Sequence, residues 1–390
     1  MSDADQVLLP DSDLAPAERE FALRIRAFAD RCLAPHARAV DEQGRFRREC
    51  IAELAGEGIL GGPIAAELGG SGWSAVQLAV AHEEIGAVCG NTRGFLAVHT
   101  GLVAQCLARF GSDEQKARIL PALCKGERVG CFALTEDEAG SDVAALATQA
   151  RPQGGGWRIQ GRKIWITNGG IADVALVFAT VDPARGREGI TAFVVDTARP
   201  GLRREPMPGK ELGHRGSDHA ELHFEGLAVG PADVVGGVGR GFAVAMGGLA
   251  AGRLSVAAGG VGIQRAALAA ALAFATSRRQ FGKPIAAFQM VQERLADMAA
   301  ELLASRALVH RCARRRDQGI ETHADIAAAK LYATDAATRA AEQAVLLHGG
   351  RGYSNVYPAE RLLRDSLGLR IYEGTSMIQK AILARFLTGC

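Results

Sequence analysis

The stretch HAELHFE at residues 219–225 alternates strictly between polar and apolar side chains. A period of two is typical of a β-strand with one buried face. Residues 157–159 alternate in the same way, and residues 174–181 and 190–195 are apolar runs containing β-branched residues. Together these strand signals predict a compact β-domain in the middle of the chain, over residues 131–235.

On both sides of this β-domain, apolar residues return at helical spacing. Near the N-terminus, Phe21, Ile25 and Phe28 recur every three or four residues. In the C-terminal part, an apolar stripe with the small Ser305 in its series runs along residues 291–309 and predicts core packing in a helical bundle. The sequence therefore predicts an α+β protein whose helical, β and helical domains cover residues 1–130, 131–235 and 236–390.

The composition of the 390-residue chain is that of a globular protein, with 48% hydrophobic and 23% charged residues. The formal net charge is +2 without a long run of one sign, so we expect no nucleic-acid partner. The eight cysteines contain no C-x-x-C pair, which argues against zinc ribbons and thioredoxin-like motifs. Single cysteines in a chain of this length indicate buried thiols in a reducing compartment.

The sequence shows no targeting or membrane signal. Its acidic N-terminus lacks a basic segment followed by an apolar one, so neither a secretory signal nor a transit peptide is expected. The longest apolar region, residues 241–275, is interrupted by Arg253, Gln264 and Arg265, which does not suit a membrane span. We therefore expect a cytoplasmic protein with no membrane partner.

Two patterns look like binding motifs but favour structural roles. His219 and His223 lie on one face of the alternating strand and too far apart to chelate a metal directly, so we expect solvent-facing residues and no metal site. The glycine run at residues 259–262 is similar to a dinucleotide fingerprint, but Arg265 occupies the place of the third glycine and no strand precedes it. Close helix packing explains this run better.

Three other segments contain residues suited to a ligand. Residues 132–142 carry the hydroxyls of Thr135 and Ser141, although a loop with a serine N-cap is the favoured interpretation of that segment taken alone. Residues 163–170 set Trp165 and a threonine hydroxyl before Asn-Gly, which suits either a planar ring laid against a strand or a hairpin end.

The third segment is YEGTS at residues 372–376, before the last helical stretch. Taken alone, it is a helix start with Thr375 or Ser376 as the N-cap. Its glutamate, Glu373, is the candidate for proton chemistry that the following resemblance singles out.

The chain resembles the acyl-CoA dehydrogenase family of flavoproteins in six motifs, which occur in the family's order and spacing. They are LTE..AGSD at 134–142, WITNGG at 165–170, RRQFGKPI at 278–285, LHGGRGY at 347–353, YPAERLLRD at 357–365 and IYEGTSMIQ at 371–379. The similarity extends from about Leu14 to Thr388. It implies a middle β-barrel or β-sandwich, a C-terminal four-helix bundle and a homotetramer.

The resemblance also implies FAD bound between the β-domain and the C-terminal bundle. The implied cofactor contacts are Phe132, Leu134, Thr135, Ser141, Trp165, Ile166, Thr167, Arg278, Phe281, Gln289, Gly349, Gly350 and Thr375. Arg278 would reach the pyrophosphate of FAD in a neighbouring subunit, and a guanidinium fork suits a diphosphate.

The implied reaction is the α,β-dehydrogenation of an acyl thioester, acyl-CoA to trans-2-enoyl-CoA. Flavin accepts the hydride, since no side chain can, and Glu373 matches the family's base for the α-proton. Some relatives carry the base on another helix, where this chain has Gly252, so Glu373 is the remaining candidate. The implied substrate contacts are Ser141, Arg253, Tyr372 and Gly374, and the implied electron acceptor is an electron-transfer flavoprotein.

The chain departs from the family pattern at several positions. Residues 137–138 are Asp-Glu where Pro-Gly is usual, and Leu346 and Met377 replace common flavin-proximal polar residues. Ala250 replaces an acid that many members use near the carrier arm, which leaves coenzyme A and acyl carrier protein both open as carriers. An oxidase that passes electrons to oxygen and a helical scaffold without catalysis are also compatible with the sequence.

Overall fold

The computed structural model describes residues 3–9 and 14–389. The N-terminal helices are α1 (Asp3–Leu8), α2 (Pro16–Phe28), α3 (Ala34–Gln43), α4 (Cys50–Gly56), α5 (Ala75–Val88), α6 (Gly90–Val98), α7 (Gln105–Phe110) and α8 (Asp113–Cys124). The π-helical turns Ala29–Leu33 and His99–Ala104 join α2 to α3 and α6 to α7. The helical N-terminal part is thus as predicted, except that α1 was not anticipated.

Side-chain caps fix several helix starts. Ser74 accepts a hydrogen bond from the Gln77 backbone N–H at the start of α5, and Ser112 does the same for Gln115 at the start of α8. In both cases the side-chain oxygen of the glutamine accepts a hydrogen bond from the backbone N–H of the capping serine. These reciprocal bonds satisfy the free N–H groups of the first helical turn.

The middle domain is one eight-stranded sheet. Its strands are β1 (Gly130–Ala133), β2 (Gln149–Gln153), β3 (Gly156–Thr167), β4 (Val174–Thr180), β5 (Ile190–Asp196), β6 (Leu202–Pro206), β7 (His219–Val229) and β8 (Val234–Val235). The order is β6-β7-β3-β2-β4-β5-β8, with β1 beside β4. The pairs β1–β4 and β2–β4 are parallel and the others antiparallel.

The sheet buries both faces. One cluster contains Ile159, Val177, Phe193, Leu222 and Phe224, all from strands, so the sheet curls over a core of its own. Residues on the opposite face of β4 and β5 pack against α7, α8 and the long helix Gly241–Ser277. The predicted alternation of β7 is confirmed. Both β1 and β3 contact α6, so this part of the sheet lies beside the N-terminal helices.

The C-terminal part is a helical bundle. Its helices are α9 (Gly241–Ser277), α10 (Gln289–Asp317), α11 (His323–His348), α12 (Ala359–Leu369) and α13 (Ser376–Thr388). The short hairpin of β9 (Arg279–Gln280) and β10 (Lys283–Pro284) separates α9 from α10. On α10, Met298, Leu302, Ser305 and Val309 are buried, which confirms the predicted stripe from residue 298 onward. Val291 and Leu295, at its start, are only partly buried.

The glycine run at residues 259–262 lets α9 approach its neighbours closely. A Cβ at Gly260 would lie 2.9 Å from the Ala333 carbonyl oxygen of α11, and one at Gly262 would lie 2.4 Å from the Glu83 carbonyl oxygen of α5. Such contacts are shorter than real Cβ atoms allow. The packing role predicted for this run is therefore confirmed.

Helix α9 is long and apolar enough to span a membrane by length and composition, the one such helix in the described chain. However, 72% of its most apolar window is buried inside the fold. Gln264 lies in this helix and bonds to Ser305 of α10 and the Ala333 carbonyl of α11. This is the pattern of a bundle's core helix.

Candidate active site

Glu373 lies in a strained turn between α12 and α13. Its φ is +57°, and that of Gly374 is +86°. The left-handed region costs a residue with a Cβ about 1–3 kcal/mol and is enriched at functional sites. Thr375 ends the turn as the N-cap of α13, since its hydroxyl accepts the Ile378 N–H at 3.3 Å. The helix-start interpretation of Thr375 is therefore confirmed, while its hydroxyl hydrogen stays available to a ligand.

Three side chains from other positions hold this turn. Arg253 Nε donates to the Glu373 carbonyl oxygen at 3.1 Å, and Lys330 Nζ donates to the Gly374 carbonyl oxygen at 2.8 Å. Gln379 Nε2 donates to both carbonyl oxygens, at 3.3 and 2.9 Å. Because the three donors belong to α9, α11 and α13, three helices of the bundle together hold the backbone that carries the Glu373 side chain.

The Glu373 carboxylate lies against α9 at Gly252. A Cβ at Gly252 would come within 2.7 Å of Glu373 Oε2. This oxygen is buried and has no hydrogen-bond partner among the described residues. Burial raises the pKa of Glu373 to about 7, against the opposing charges of Arg253, Lys330 and Arg93. A carboxylate with this pKa is suited to proton abstraction near neutral pH.

A cavity of about 300 Å³ runs along the same face of α9. It is lined by residues of α7 and α9 that include Cys106, Arg109, Gly248 and Ala251. Gly248 lies one helical turn before Gly252, so the cavity leads towards the Glu373 carboxylate. Its size suits part of a flexible, largely apolar substrate.

On the other side of the turn, Tyr372 belongs to a buried polar network. Arg93 Nη2 donates to the Tyr372 hydroxyl oxygen at 2.5 Å, and this oxygen lies 3.2 Å from His214 Nε2. Arg93 is only 2% exposed, and its Nη1 has no partner among the described residues. The Tyr372 hydroxyl, predicted to contact substrate, is therefore already engaged, while Arg93 retains an unused donor.

The two segments predicted to contact flavin lie side by side. The Ile164 N–H donates to the Thr135 carbonyl at 3.0 Å, and the buried Lys163 ammonium donates to the Leu134 carbonyl at 2.8 Å and to Glu136 at 2.7 Å. These bonds fasten the loop after β1 to β3. They bring together two motifs that are about 30 residues apart in the chain.

The side chains at this junction suit a flat polar ring system. Trp165 is 51% exposed and has a φ of +56°. The hydroxyls of Thr135, Ser141 and Thr167 make no hydrogen bond within the described chain. An exposed aromatic face beside unused hydroxyls fits the isoalloxazine of FAD and its polar substituents.

Other predicted cofactor contacts have different surroundings. Phe132, Leu134 and Ile166 are buried in the two cores of the sheet, with Phe132 packed on Phe178 at 4.8 Å between ring centroids. Only their backbone is left to contact FAD. Gly349 has a φ of +59°, and a Cβ added to Gly349 or Gly350 would meet open space, which leaves room for a ligand.

The remaining predicted contacts lie around the hairpin β9–β10, with Arg278 directly after α9, Phe281 at the hairpin tip and Gln289 at the start of α10. Phe281, at its tip, is 92% exposed with a φ of +49°. The Arg278 guanidinium makes no hydrogen bond or ion pair within the described chain, and Gln289 is exposed at the start of α10. An apolar groove of about 450 Å³, which includes Leu346, lies beside this hairpin. These residues do not lie at the Glu373 turn of the same chain.

The residues that depart from the family pattern are mostly on the surface. The side chains of Leu346 and Met377 are exposed, by 54% and 70%. The carboxylates of Asp137 and Glu138 are also exposed, and Asp137 pairs with Arg162. Arg253, predicted as a substrate contact, is buried beneath the turn and donates its Nε–H to the Glu373 carbonyl oxygen, and its contact with substrate stays a prediction.

The expectation that His219 and His223 face solvent needs correction. Both imidazoles are only 17% exposed, and each lies beside a carboxylate: Glu211 for His219 and Glu221 for His223. Possible metal ligands of Glu205, Glu221 and His223 lie within 4.8 Å of one another. Arg203 and Arg162 already pair with these two carboxylates, so the cluster is an ion-pair network across strands.

Sequence reasoning missed Lys330, Gln379 and Arg93. A signal exists for Lys330, because it stands in the buried series Ile326, Lys330, Ala333 and Ala337 of α11. A lysine within an apolar stripe predicts an ammonium held inside the core. Arg93 has no comparable signal, since its partner Tyr372 is far away in the sequence. Gln379 lies at the end of the motif that contains Glu373, but no periodic pattern indicates that its side chain turns back to that turn.

Known proteins resemble the chain over nearly its whole length. Residues 15–127, 131–227 and 239–388 match the family models of the acyl-CoA dehydrogenase N-terminal, middle and C-terminal domains. An acyl-CoA dehydrogenase of Bacillus subtilis is 40% identical over 365 residues, covering 94% of this chain and 96% of that protein. The short-chain specific acyl-CoA dehydrogenase of Clostridium acetobutylicum is 38% identical over 360 residues, with 92% and 95% covered.

Solved structures agree with this assignment. Glutaryl-CoA dehydrogenase from Mycobacterium smegmatis superposes with a TM-score of 0.95 at 34% identity, covering 99% of this chain and 98% of that one. Butyryl-CoA dehydrogenase from Megasphaera elsdenii gives 0.93 at 36%, with 96% and 99% covered. A prolyl acyl carrier protein oxidase gives 0.92 at 31%, with 96% and 99% covered.

The chain belongs to the acyl-CoA dehydrogenase family. It is accordingly an FAD-dependent oxidoreductase that acts on CH–CH donors and dehydrogenates acyl thioesters. The predicted fold class and the FAD requirement are confirmed by this membership.

Proposed function

We propose that the protein converts an acyl-CoA into the trans-2-enoyl-CoA, with Glu373 as the base that removes the α-proton. The observation that carries the proposal is the Glu373 carboxylate itself. It is held by a strained turn against Gly252, has a buried oxygen without a partner in the described chain, and has a pKa raised to about 7. Burying a carboxylate without hydrogen-bond partners is energetically unfavourable, and a role of this carboxylate in the reaction explains its burial.

The chain's own residues perform the proton step, while bound FAD supplies the hydride acceptor. Glu373 takes the α-proton on its carboxylate, and the three donors to the turn keep that carboxylate aimed along α9. The backbone N–H of Glu373 has no acceptor within the described chain. We assign it to the thioester oxygen, where a hydrogen bond stabilises the charge that develops as the α-carbon loses its proton.

FAD is proposed to lie at the junction of β1 and β3, against Trp165 and the hydroxyls of Thr135, Ser141 and Thr167. Phe281 is exposed at the hairpin tip and the Arg278 guanidinium has no partner in the described chain, so we propose that both serve FAD in a neighbouring subunit of a homotetramer. The exposed apolar groove beside the hairpin supports such an assembly. We further propose a cytoplasmic location, because a reducing compartment suits the unpaired cysteines.

The proposed electron acceptor is an electron-transfer flavoprotein. A solved structure named for the electron transferring flavoprotein of Acidaminococcus fermentans has a chain that superposes on this one with a TM-score of 0.93, at 36% identity and with 96% of this chain and 98% of that one covered. Oxygen is the second possible acceptor. Reoxidation of the reduced protein by air and by an electron-transfer flavoprotein, measured as the return of the flavin colour, distinguishes the two.

Arg93 favours a second candidate for the acyl group, one that ends in a carboxylate. Its buried Nη1 has no partner among the described residues and lies in the network that adjoins Glu373. Glutaryl-CoA, named in three of the related structures, has such a distal carboxylate. A neutral short acyl group is the first candidate, on the relatives named for butyryl and short-chain substrates.

Anaerobic bleaching of the flavin tests these proposals together. The panel contains butyryl-, isovaleryl- and glutaryl-CoA, and butyryl groups on acyl carrier protein. We expect a thioester of the panel to bleach the flavin of the wild type, and we expect this bleaching to be lost in Glu373→Gln. A glutaryl preference that disappears in Arg93→Gln identifies the carboxylate subsite. Protein that binds FAD but is bleached by no thioester contradicts the proposed function.

A further inference from the structure

Lys330 is a buried cation beside the catalytic turn, and within the described residues it has no charged partner at ion-pair distance. Its side chain is fully buried on α11. Nζ donates one hydrogen bond, to the Gly374 carbonyl oxygen at 2.8 Å, and no carboxylate lies within ion-pair distance in the described part of the chain. A buried ammonium without a counter-ion is costly and requires an explanation.

Lys163 shows what a buried lysine looks like when its role is structural. It is also fully buried, but its ammonium pairs with Glu136 at 2.7 Å and donates to the Leu134 carbonyl at 2.8 Å. Lys330 has the carbonyl bond and lacks the carboxylate. Its missing counter-charge must therefore be sought among more distant groups.

Two acidic groups attract Lys330, and one of them is already used. Asp335 accepts hydrogen bonds from Arg370 at 2.8 Å and from Ser376 at 3.0 Å. The other is Glu373. Burial lowers the pKa of Lys330 to about 8, and the attraction of Glu373, which is larger than that of Asp335, opposes this lowering. The carboxylate that balances Lys330 is therefore that of Glu373.

We propose that Lys330 is a positioning residue for the dehydrogenation, which fixes the left-handed turn through the Gly374 carbonyl and stabilises the ionised form of Glu373. The inference rests on the proposed role of Glu373 as base. A base must be ionised before it accepts a proton, so a cation nearby sets the lower pH limit of the reaction.

The charges that face Glu373 come from several elements. Arg253 on α9, Lys330 on α11 and Arg93 on α6 all favour the carboxylate. Cys106 on α7 and the neighbouring Tyr372 are neutral at physiological pH, because burial raises both of their pKa values to about 12. Removing the charge of Lys330 leaves two of the three cations that favour the carboxylate, and therefore raises the pKa of Glu373.

The experiment measures the anaerobic flavin-reduction rate of the FAD-loaded protein against pH. In Lys330→Gln the amide can still donate to the Gly374 carbonyl but has no charge. We expect the midpoint of the rate profile to move up by about one pH unit, the low end for losing a charge near a carboxylate. Lys330→Arg keeps the charge and should keep the wild-type midpoint, even if crowding slows the reaction.

Gln379→Leu is the matched control, because it removes a neutral donor to the same turn. It should slow reduction without moving the midpoint. The pH at which Glu373 titrates is also followed without turnover, from the pH dependence of the melting temperature. In Lys330→Gln the decline in stability that accompanies ionisation of Glu373 should extend to higher pH.

The outcomes separate the inference from the function on which it rests. A wild type that no thioester reduces removes the proposed function. A wild type that is reduced, with an unshifted midpoint in Lys330→Gln, overturns only the role of Lys330. If Lys330→Gln does not fold, a shifted midpoint in the charge-retaining Lys330→Arg, or in Gln379→Leu, overturns it equally.

Discussion

Replacing Glu373 with glutamine should change how stability depends on pH. In the native protein burial raises the pKa of Glu373 from 4.5 to about 7. Between these two pH values the native state holds a proton that the unfolded chain releases, so the free energy of unfolding falls as the pH rises. The shift corresponds to about 3 kcal/mol lost between pH 4.5 and 7. Glu373→Gln cannot ionise and loses nothing in this window.

The assay is urea unfolding of FAD-loaded wild type and Glu373→Gln at several values between about pH 5 and pH 8. The other titrating groups are present in both proteins, so the difference between the two reports Glu373 together with its attraction for Lys330. The free energy of unfolding of the variant minus that of the wild type should increase by up to about 3 kcal/mol from the lowest to the highest pH of the series. The slope is the test, because an amide without partners costs about 1–3 kcal/mol at every pH.

The same variant tests the chemistry. FAD and substrate should still bind, while flavin reduction should fall at least ~100-fold, the low end for loss of a general base. If Glu373 only started a helix, the variant would show near-normal reduction and a parallel stability curve. A parallel curve refutes the raised pKa, and reduction within a few-fold of the wild type refutes the assignment of the base.

Three further predictions concern the surroundings of the site. Gly252→Ala should displace the Glu373 carboxylate, because the added Cβ would lie 2.7 Å from Oε2. Stopped-flow reduction of the flavin should become slower while the FAD content stays unchanged. The control Gly56→Ala, whose Cβ would meet open space, should not differ from the wild type. Arg278→Ala should lower both FAD retention and the oligomeric mass by light scattering, and full cofactor occupancy would oppose the proposed reach to a neighbour. FAD should be released into the supernatant on denaturation, because the motif positions facing the ring hold no His or Cys; a yellow pellet would indicate a covalent bond.

The order of domains could be predicted because each domain has its own local periodicity of apolar residues. Strand β7 and the buried end of α10 have their apolar residues at spacings of two and of three or four, and tertiary structure leaves these patterns intact. The glycines at 259–262 could be interpreted for a similar reason, since small residues in a helix have few uses other than close packing. The helix α1 was missed because its six residues are held by distant bonds from Arg306 to the carbonyls of Val7 and Leu8.

The candidate site was predictable only in part. The motif containing Glu373 named the base, but not the left-handed backbone, the contact with Gly252 or the donors on other helices. Those features depend on residues far away in the sequence, such as Lys330 and Arg253. For the same reason the support that Arg253 Nε gives to the turn was not predicted.

Glu136 and Glu373 show why the surroundings of a carboxylate decide its chemistry. Burial acts to raise the pKa of both. At Glu136 the Lys163 ammonium and the N–H groups of Ala147 and Thr148 outweigh burial, so its pKa lies below the usual value. Glu373 receives no hydrogen bond at Oε2 from the described chain, and the cations around it offset burial only partly. A carboxylate whose hydrogen bonds are already satisfied cannot replace the base, so Glu136 is not expected to support residual activity when Glu373 is lost.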